Sequence, residues 1–223
     1  MHIPYGLLSA EVSVVTGALA APAVGFALWR VRRRYEERTV ALMGMLGAYV
    51  FAAQMINFPV AAGTSGHLLG AALAAFLLGP APAMLILGTV LLVQALLFQD
   101  GAITALGANA LNMAVLGPLT AWGIWTGWRR LLGGRLAMAG RAVAAVASIV
   151  VPAAACAVEI AVSGLYPLTV ALGAMAGVHT VIGVAEAAIT VVILRFLAAA
   201  RPDLLAPAGV PGGAAHAAAQ SVE

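Results

Sequence analysis

The sequence contains no lysine, and only 9% of its 223 residues carry a charge. A chain so poor in charge has too little polar surface to wrap a soluble core of this size. There is one cysteine, Cys156, inside an apolar run. That excludes a disulfide framework and a thiolate metal cluster, and leaves a buried structural thiol as the reading. No basic residue occurs in positions 1–6, so the basic start of a signal peptide is missing. The phosphate-binding pattern GxxxxGK[ST] is absent too, so any ATP-driven step needs another subunit. No second carboxylate or nucleophile–base pair sits at compatible depth, which leaves an intramembrane enzyme as the weakest functional class.

What the chain has is hydrophobicity: 63% apolar residues and a mean hydropathy of +1.04. Several stretches reach the roughly 20 apolar residues that cross a bilayer. The fold class is therefore all-α, a polytopic membrane bundle of about seven transmembrane helices. The expected spans are residues 7–29, 40–58, 68–78, 82–98, a fifth opened by FQDGAITALGANALNM and closed by TAWGIWTGWRR, then 142–162 and 168–197. The third is too short for an ordinary span, so it is shallow, tilted or begins within its loop. Residues 1–200 make one membrane domain. Residues 201–223, rich in Ala, Gly and Pro, read as a disordered tail in which His216 is incidental.

All eleven basic residues are arginines, in segments 30–38 and 129–141 and at Arg195 and Arg201. An even number of crossings separates these clusters, so one membrane face holds every one of them. The positive-inside rule makes that face cytoplasmic, with the N-terminus outside and the C-terminus inside. Trp122, Trp125 and Trp128 beside Arg129 read as an interfacial belt. Gly17, Ala21 and Gly25 form a row on which a helix can pack closely, with a kink expected at Pro22. A second row, Gly44, Ala48 and Ala52, reads as facing the bundle interior rather than a partner helix.

The chemistry gathers at Met1-His2. A free α-amine, the amide nitrogen of residue 2 and the His2 Nδ1 close a five- and a six-membered ring on one ion. Three nitrogens in a plane leave one corner open, and planar nitrogen coordination suits Ni(II), Cu(II) or Co(II). The competing reading of Met1-His2 is a frayed terminus. His67 closes the Gly-rich loop PVAAGTSGH on the same face; alone it is a loop histidine, and beside the chelate it is the natural fourth nitrogen. Asn57 and Ser65 flank that loop as supporting or pathway candidates. Asn109 and Asn112, three apart on one helical face, prefer the protein interior to lipid. His179 and Glu186, seven apart on the last span, are either functional or a polar clamp between helices.

Four segments carry a family resemblance: MHIP-x-G at the start, QMINFPV…GTSGHLLG (54–70), FQDG-x-ITALGANALNM (98–113) and H-x-x-IG-x-x-E-x-x-IT (179–190). They resemble the CbiM/NikM family, the substrate-specific membrane components of energy-coupling-factor (ECF) cobalt and nickel transporters, across roughly residues 1–197. The resemblance implies an extra N-terminal helix before a six-helix core. It also implies a metal site of Met1, His2 and His67, with Co2+ or Ni2+ as transported substrate and no organic cofactor. The implied partners are a transmembrane coupling subunit, paired ATPases and a small accessory membrane protein, in the inner membrane of a prokaryote. One departure is Tyr5, where the family usually has an acidic residue, so a supporting carboxylate is missing there. Gly101-Ala102 stands where two glycines are frequent. The rival function is a stand-alone, proton-coupled carrier of divalent metal using His179 and Glu186 as a relay.

Overall fold

The computed structural model describes residues 1–34, 37–60 and 64–205. The helices are α1 (Ala10–Arg34), α2 (Glu37–Met55), α3 (Ala71–Leu78), α4 (Pro80–Val93), α5 (Leu106–Asn109), α6 (Gly117–Leu132), α7 (Ala137–Val162) and α8 (Leu168–Ala200). Two π-helical segments extend them. Gln94–Phe98 prolongs α4, and Ala110–Leu116 joins α5 to α6, so the chain from Ile103 to Leu132 forms one long rod. Among the described residues, five helices are long and apolar enough to cross a membrane. α2 carries Glu37 and Arg38 at one end and Gln54 at the other, which keeps it just below that standard. With short α3, seven apolar segments are present, but five are full-length spans.

The third segment does begin within its loop. Residues 64–70 enter the bundle without helix, and Gly66, His67, Leu69 and Gly70 are all buried. α3 then runs only eight residues, six of them buried, before Gly79 reverses the chain with φ +86. That single residue ends α3 and starts α4, whose Pro80 occupies a first-turn position that needs no N–H donor. α3 packs on α2, α4, α6, α7 and α8, so this short helix is the centre of the bundle. α7 and α8 pair along their length, and α1 lies outermost, against α4 and α5.

Close approach of α1 to α5 depends on Gly107, which faces the backbone of Gly17. A Cβ on Gly107 would stand 2.5 Å from the Cα of Gly17. The rest of the first row does not pack: Ala21 and Gly25 are exposed, and Thr16, Ala20 and Ala27 make the buried side. The second row also differs from expectation. Gly44, Ala48 and Ala52 face outward, because α2 turns Val50 and Gln54 to the core instead. α1 continues through Pro22 as one helix. Trp125 is buried rather than interfacial, edge-on to Phe76 at 6.3 Å with the Arg141 guanidinium 4.5 Å from its ring centre. Cys156 is fully buried, as expected.

Contacts tie the ends of the bundle together. Arg38 bonds Asp203, joining the start of α2 to the end of α8, both in arginine-bearing segments. At the other end Ser9 N–H donates to Ser163 Oγ at 3.0 Å, and Asn57 donates to Asp100 at 3.2 Å. Exposed Val14, Leu19, Phe26, Val181 and Val192 cover the outward faces of α1 and α8, as suits a lipid-facing surface. This is a multi-pass membrane protein. The start of the expected tail is ordered instead, because Pro202–Leu204 form a helical turn and Asp203 pairs with Arg38 and Arg201, while the rest, with His216, lies outside the described residues.

Candidate metal centre

The N-terminus is folded into the molecule. Met1 and Ile3 are fully buried and His2 is 3% exposed. Burying two large apolar side chains contributes about 1.5–3 kcal/mol each, which fixes the terminal segment in place. A frayed terminus is therefore not what forms. Ile3 N–H donates to Asn109 Oδ1 at 2.9 Å, and the Ile3 carbonyl accepts from Ala102 N–H at 3.0 Å. The Met1 amine donates to the Ser65 carbonyl. These bonds stretch three residues between the 64–67 loop and the start of the 103–132 rod.

The loop is shaped by a two-residue antiparallel ladder, β1 (Phe58–Pro59) with β2 (Ser65–Gly66), supported by Val60 N–H to the Thr64 carbonyl at 2.8 Å. It sets His67 against His2, with ring centres 4.7 Å apart and planes inclined by 33°. His67 Nδ1 is 2.8 Å from the Leu68 carbonyl, so it carries the proton and donates. Its Nε2 then bears a lone pair, and that atom is buried without a hydrogen-bond partner. A buried polar atom left so costs about 1–3 kcal/mol. A bound cation would satisfy it.

The His2 ring is wired the complementary way. Its Nε2 is 3.1 Å from Gln94 Oε1, which accepts the Nε2 proton and leaves the lone pair on Nδ1. Nδ1 faces Asp100 Oδ1 at 3.3 Å and Ser65 Oγ at 3.4 Å. A lone pair opposite a carboxylate repels it unless a proton or cation lies between. Burial disfavours the proton: it pushes the His2 imidazole down to about 3 and the Met1 amine down to about 5. Burial likewise holds His67 well below the ordinary imidazole range, helped by the nearby terminal amine. Asp100 is raised by partial burial, against the opposing pull of that amine. The donors stand neutral and ready for a metal at neutral pH.

The structure thus brings together Met1, His2, Ser65, His67 and Asn109, with Asn57 reaching the group through Asp100. Asn112 points elsewhere: its amide donates to Glu159 on α7 at 2.7 Å. Glu186 accepts the N–H groups of Leu69 at 2.5 Å and Gly70 at 3.0 Å, which caps α3 two residues beyond His67. The clamp reading describes it. His179 is fully buried and shares no hydrogen bond with Glu186; its Nδ1 is 2.7 Å from the Met175 carbonyl. Gln94 and Asp100 are what sequence reasoning missed. Asp100 supplies a carboxylate beside His2 even though position 5 is tyrosine, whose hydroxyl accepts from Ile103 N–H at 3.3 Å. The signal was the QALLFQDG stretch, where a π-helical turn rotates Gln94 inward; such turns recur at functional sites.

The fold and the site together define a class: an integral-membrane helical bundle with its own amino terminus packed against a buried imidazole. Residues 2–204 match the family described as cobalt uptake substrate-specific transmembrane region, CbiM. A putative fused nickel transport protein of Archaeoglobus fulgidus is 36% identical over 95% of this chain and 70% of its own length. A putative metal transport protein of Haloquadratum walsbyi is 36% identical over 92% of this chain and 93% of its own. A crystal structure of a truncated transition metal transporter superposes with a TM-score of 0.84 at 35% identity, covering 88% of this chain and 98% of that one. The chain belongs to the CbiM family, whose members are metal transport components rather than enzymes.

Proposed function

We propose that this protein captures Co2+ or Ni2+ outside the cell through four nitrogens: the Met1 amine, the His2 amide and Nδ1, and His67 Nε2. The observation that carries this reading is the buried, unpartnered His67 Nε2 set against a docked Met1-His2 whose Nδ1 is kept free by Gln94. The ion displaces the His2 amide proton, which passes to water; in the metal-free protein that N–H donates to Ser65 Oγ at 3.3 Å. Planar nitrogen donors favour these ions over Mg2+ or Ca2+.

The protein acts as the substrate-binding subunit of an ECF importer in a prokaryotic inner membrane. A transmembrane coupling subunit, ATPase subunits and a small accessory membrane protein complete the machine. The bundle crosses the membrane seven times, with the N-terminus outside and the arginine-bearing end in the cytoplasm. The stand-alone carrier gains no support, because His179 and Glu186 bond separate backbone groups. Calorimetric titration of detergent-solubilised protein with Ni2+ and Co2+ tests the site. Binding should be lost in His67→Ala and greatly weakened by one residue added before Met1. Full affinity in both variants would sink the chelate. Uptake into vesicles with and without the ATPase subunits separates the two modes: import under a proton gradient alone would refute the ATP-driven one.

A further inference from the structure

One stripe of α8 runs beside the loop that carries His67. Met175, His179 and Glu186 lie on it at helical spacing. Met175 Sδ accepts the Thr64 hydroxyl at 3.1 Å, and farther along Glu186 takes the amides of Leu69 and Gly70. The loop therefore follows α8 in the same direction, and His179, between those contacts, falls opposite residues 65–68. Its ring lies within reach of the Ser65 carbonyl and within electrostatic reach of the terminal amine and of His67.

His179 is wired like His67. Its Nδ1–H donates to the Met175 carbonyl at 2.7 Å, which leaves the lone pair on Nε2. That Nε2 is buried and makes no hydrogen bond, as is true of His67 Nε2. Orienting a ring through one nitrogen and a backbone carbonyl, with the other nitrogen free, is how metal-binding histidines are held. The Met1-His2 chelate with His67 already fills a planar set of four, so His179 is left over. Its position is farther along α8 from the Leu168 end, toward the arginine-bearing end.

We propose that His67 Nε2 and His179 Nε2 form a second, inward site that takes over the divalent ion when the terminal chelate releases it. This rests on the chelate proposed above. The exchange is a change of ligands without redox: the bonds from the ion to the Met1 amine, the His2 amide nitrogen and His2 Nδ1 break, a bond to His179 Nε2 forms, and the amide regains one proton from water. As the Met1 amine withdraws, it also frees the Ser65 carbonyl as an oxygen donor. Imidazole pairs of this kind bind Co(II) and Ni(II) readily.

The test uses the detergent-solubilised full chain, with and without two glycines added before Met1, titrated calorimetrically with Ni2+. The extended chain should keep a weaker site. His179→Ala in that extended chain should lower the residual affinity about tenfold or more, and His179→Gln should do the same. With the native terminus, His179→Ala should bind at native affinity, which also shows that it folds. Three results would overturn the inward site: no residual binding in the extended chain, residual binding indifferent to His179, or loss of binding in the native-terminus His179→Ala. Failure of the unaltered chain to bind Ni2+ would instead remove the chelate itself, and the second site with it.

Discussion

At the scale of single residues, the site depends on where protons sit. Gln94 holds the His2 proton on Nε2, so Gln94→Leu lets the proton move to Nδ1 and blocks the donor. Ni2+ affinity should fall about 10–100-fold, measured by titration, with little change in melting temperature. Gly101 is a second point of control. It has φ +89, and an added Cβ would stand 2.9 Å from Asn109 Nδ2 and 3.2 Å from His2 Cδ2. Gly101→Ala should therefore weaken metal binding as well as cost about 1–3 kcal/mol in stability. The buried Met1 amine titrates near 5 when docked against 8.0 when free, and His2 near 3 against 6.5. Lowered folded values mean that the undocked state holds more protons between these limits, so stability of the metal-free protein rises with pH from about 3 to 8. Melting temperature followed across that range should show the rise. Its upper part, between about 6.5 and 8, belongs to the amine alone and should vanish once the amine is displaced by an added residue.

Among elements, the short α3 matters most. Its first turn has no side-chain cap of its own, and Gly70 precedes it at φ +75. Glu186, 116 residues away from Gly70, supplies the missing acceptor. Glu186→Ala leaves two buried N–H groups unpaired and should destabilise the protein by about 1–3 kcal/mol, read as a lower melting temperature. Because His67 lies just ahead of that cap, metal affinity should fall in parallel; an unchanged affinity would disconnect the cap from the site. The sequence placed Glu186 and His179 on one stripe, correctly, yet that stripe was equally compatible with a relay. The loop docking alongside it is what gives Glu186 the Leu69 and Gly70 amides as partners. The outward turn of Gly44, Ala48 and Ala52 was equally hidden, because small residues suit a packed face and a lipid-facing one alike.

For the whole molecule, the arrangement of ends is the testable claim. Tyr5 is 62% exposed beside the metal centre, and Leu131 is 85% exposed at the arginine-bearing end. Cysteines placed at these two positions should react with an impermeant maleimide from opposite sides of sealed vesicles, while buried Cys156 stays silent. Labelling of both from one side would overturn the proposed topology. Asp203 pairs with Arg38 and Arg201 on an exposed surface, where water and salt screen the attraction. Asp203→Asn should consequently leave the melting temperature nearly unchanged.

The linear chain determined a good deal by itself. Apolar run lengths dictate a membrane bundle, because lipid leaves backbone groups no partner except in helices. Met1-His2 offers three nitrogens already covalently spaced for a chelate, and His67 was the candidate for a fourth on the same face. What only tertiary structure decided is everything that depends on distant segments meeting. Gln94 and Asp100 meet His2 across more than ninety residues, Glu186 meets α3, and His179 comes to stand unpartnered near His67. Those meetings are made by packing between helices, and no local pattern in an almost uniformly apolar sequence distinguishes one packing from another.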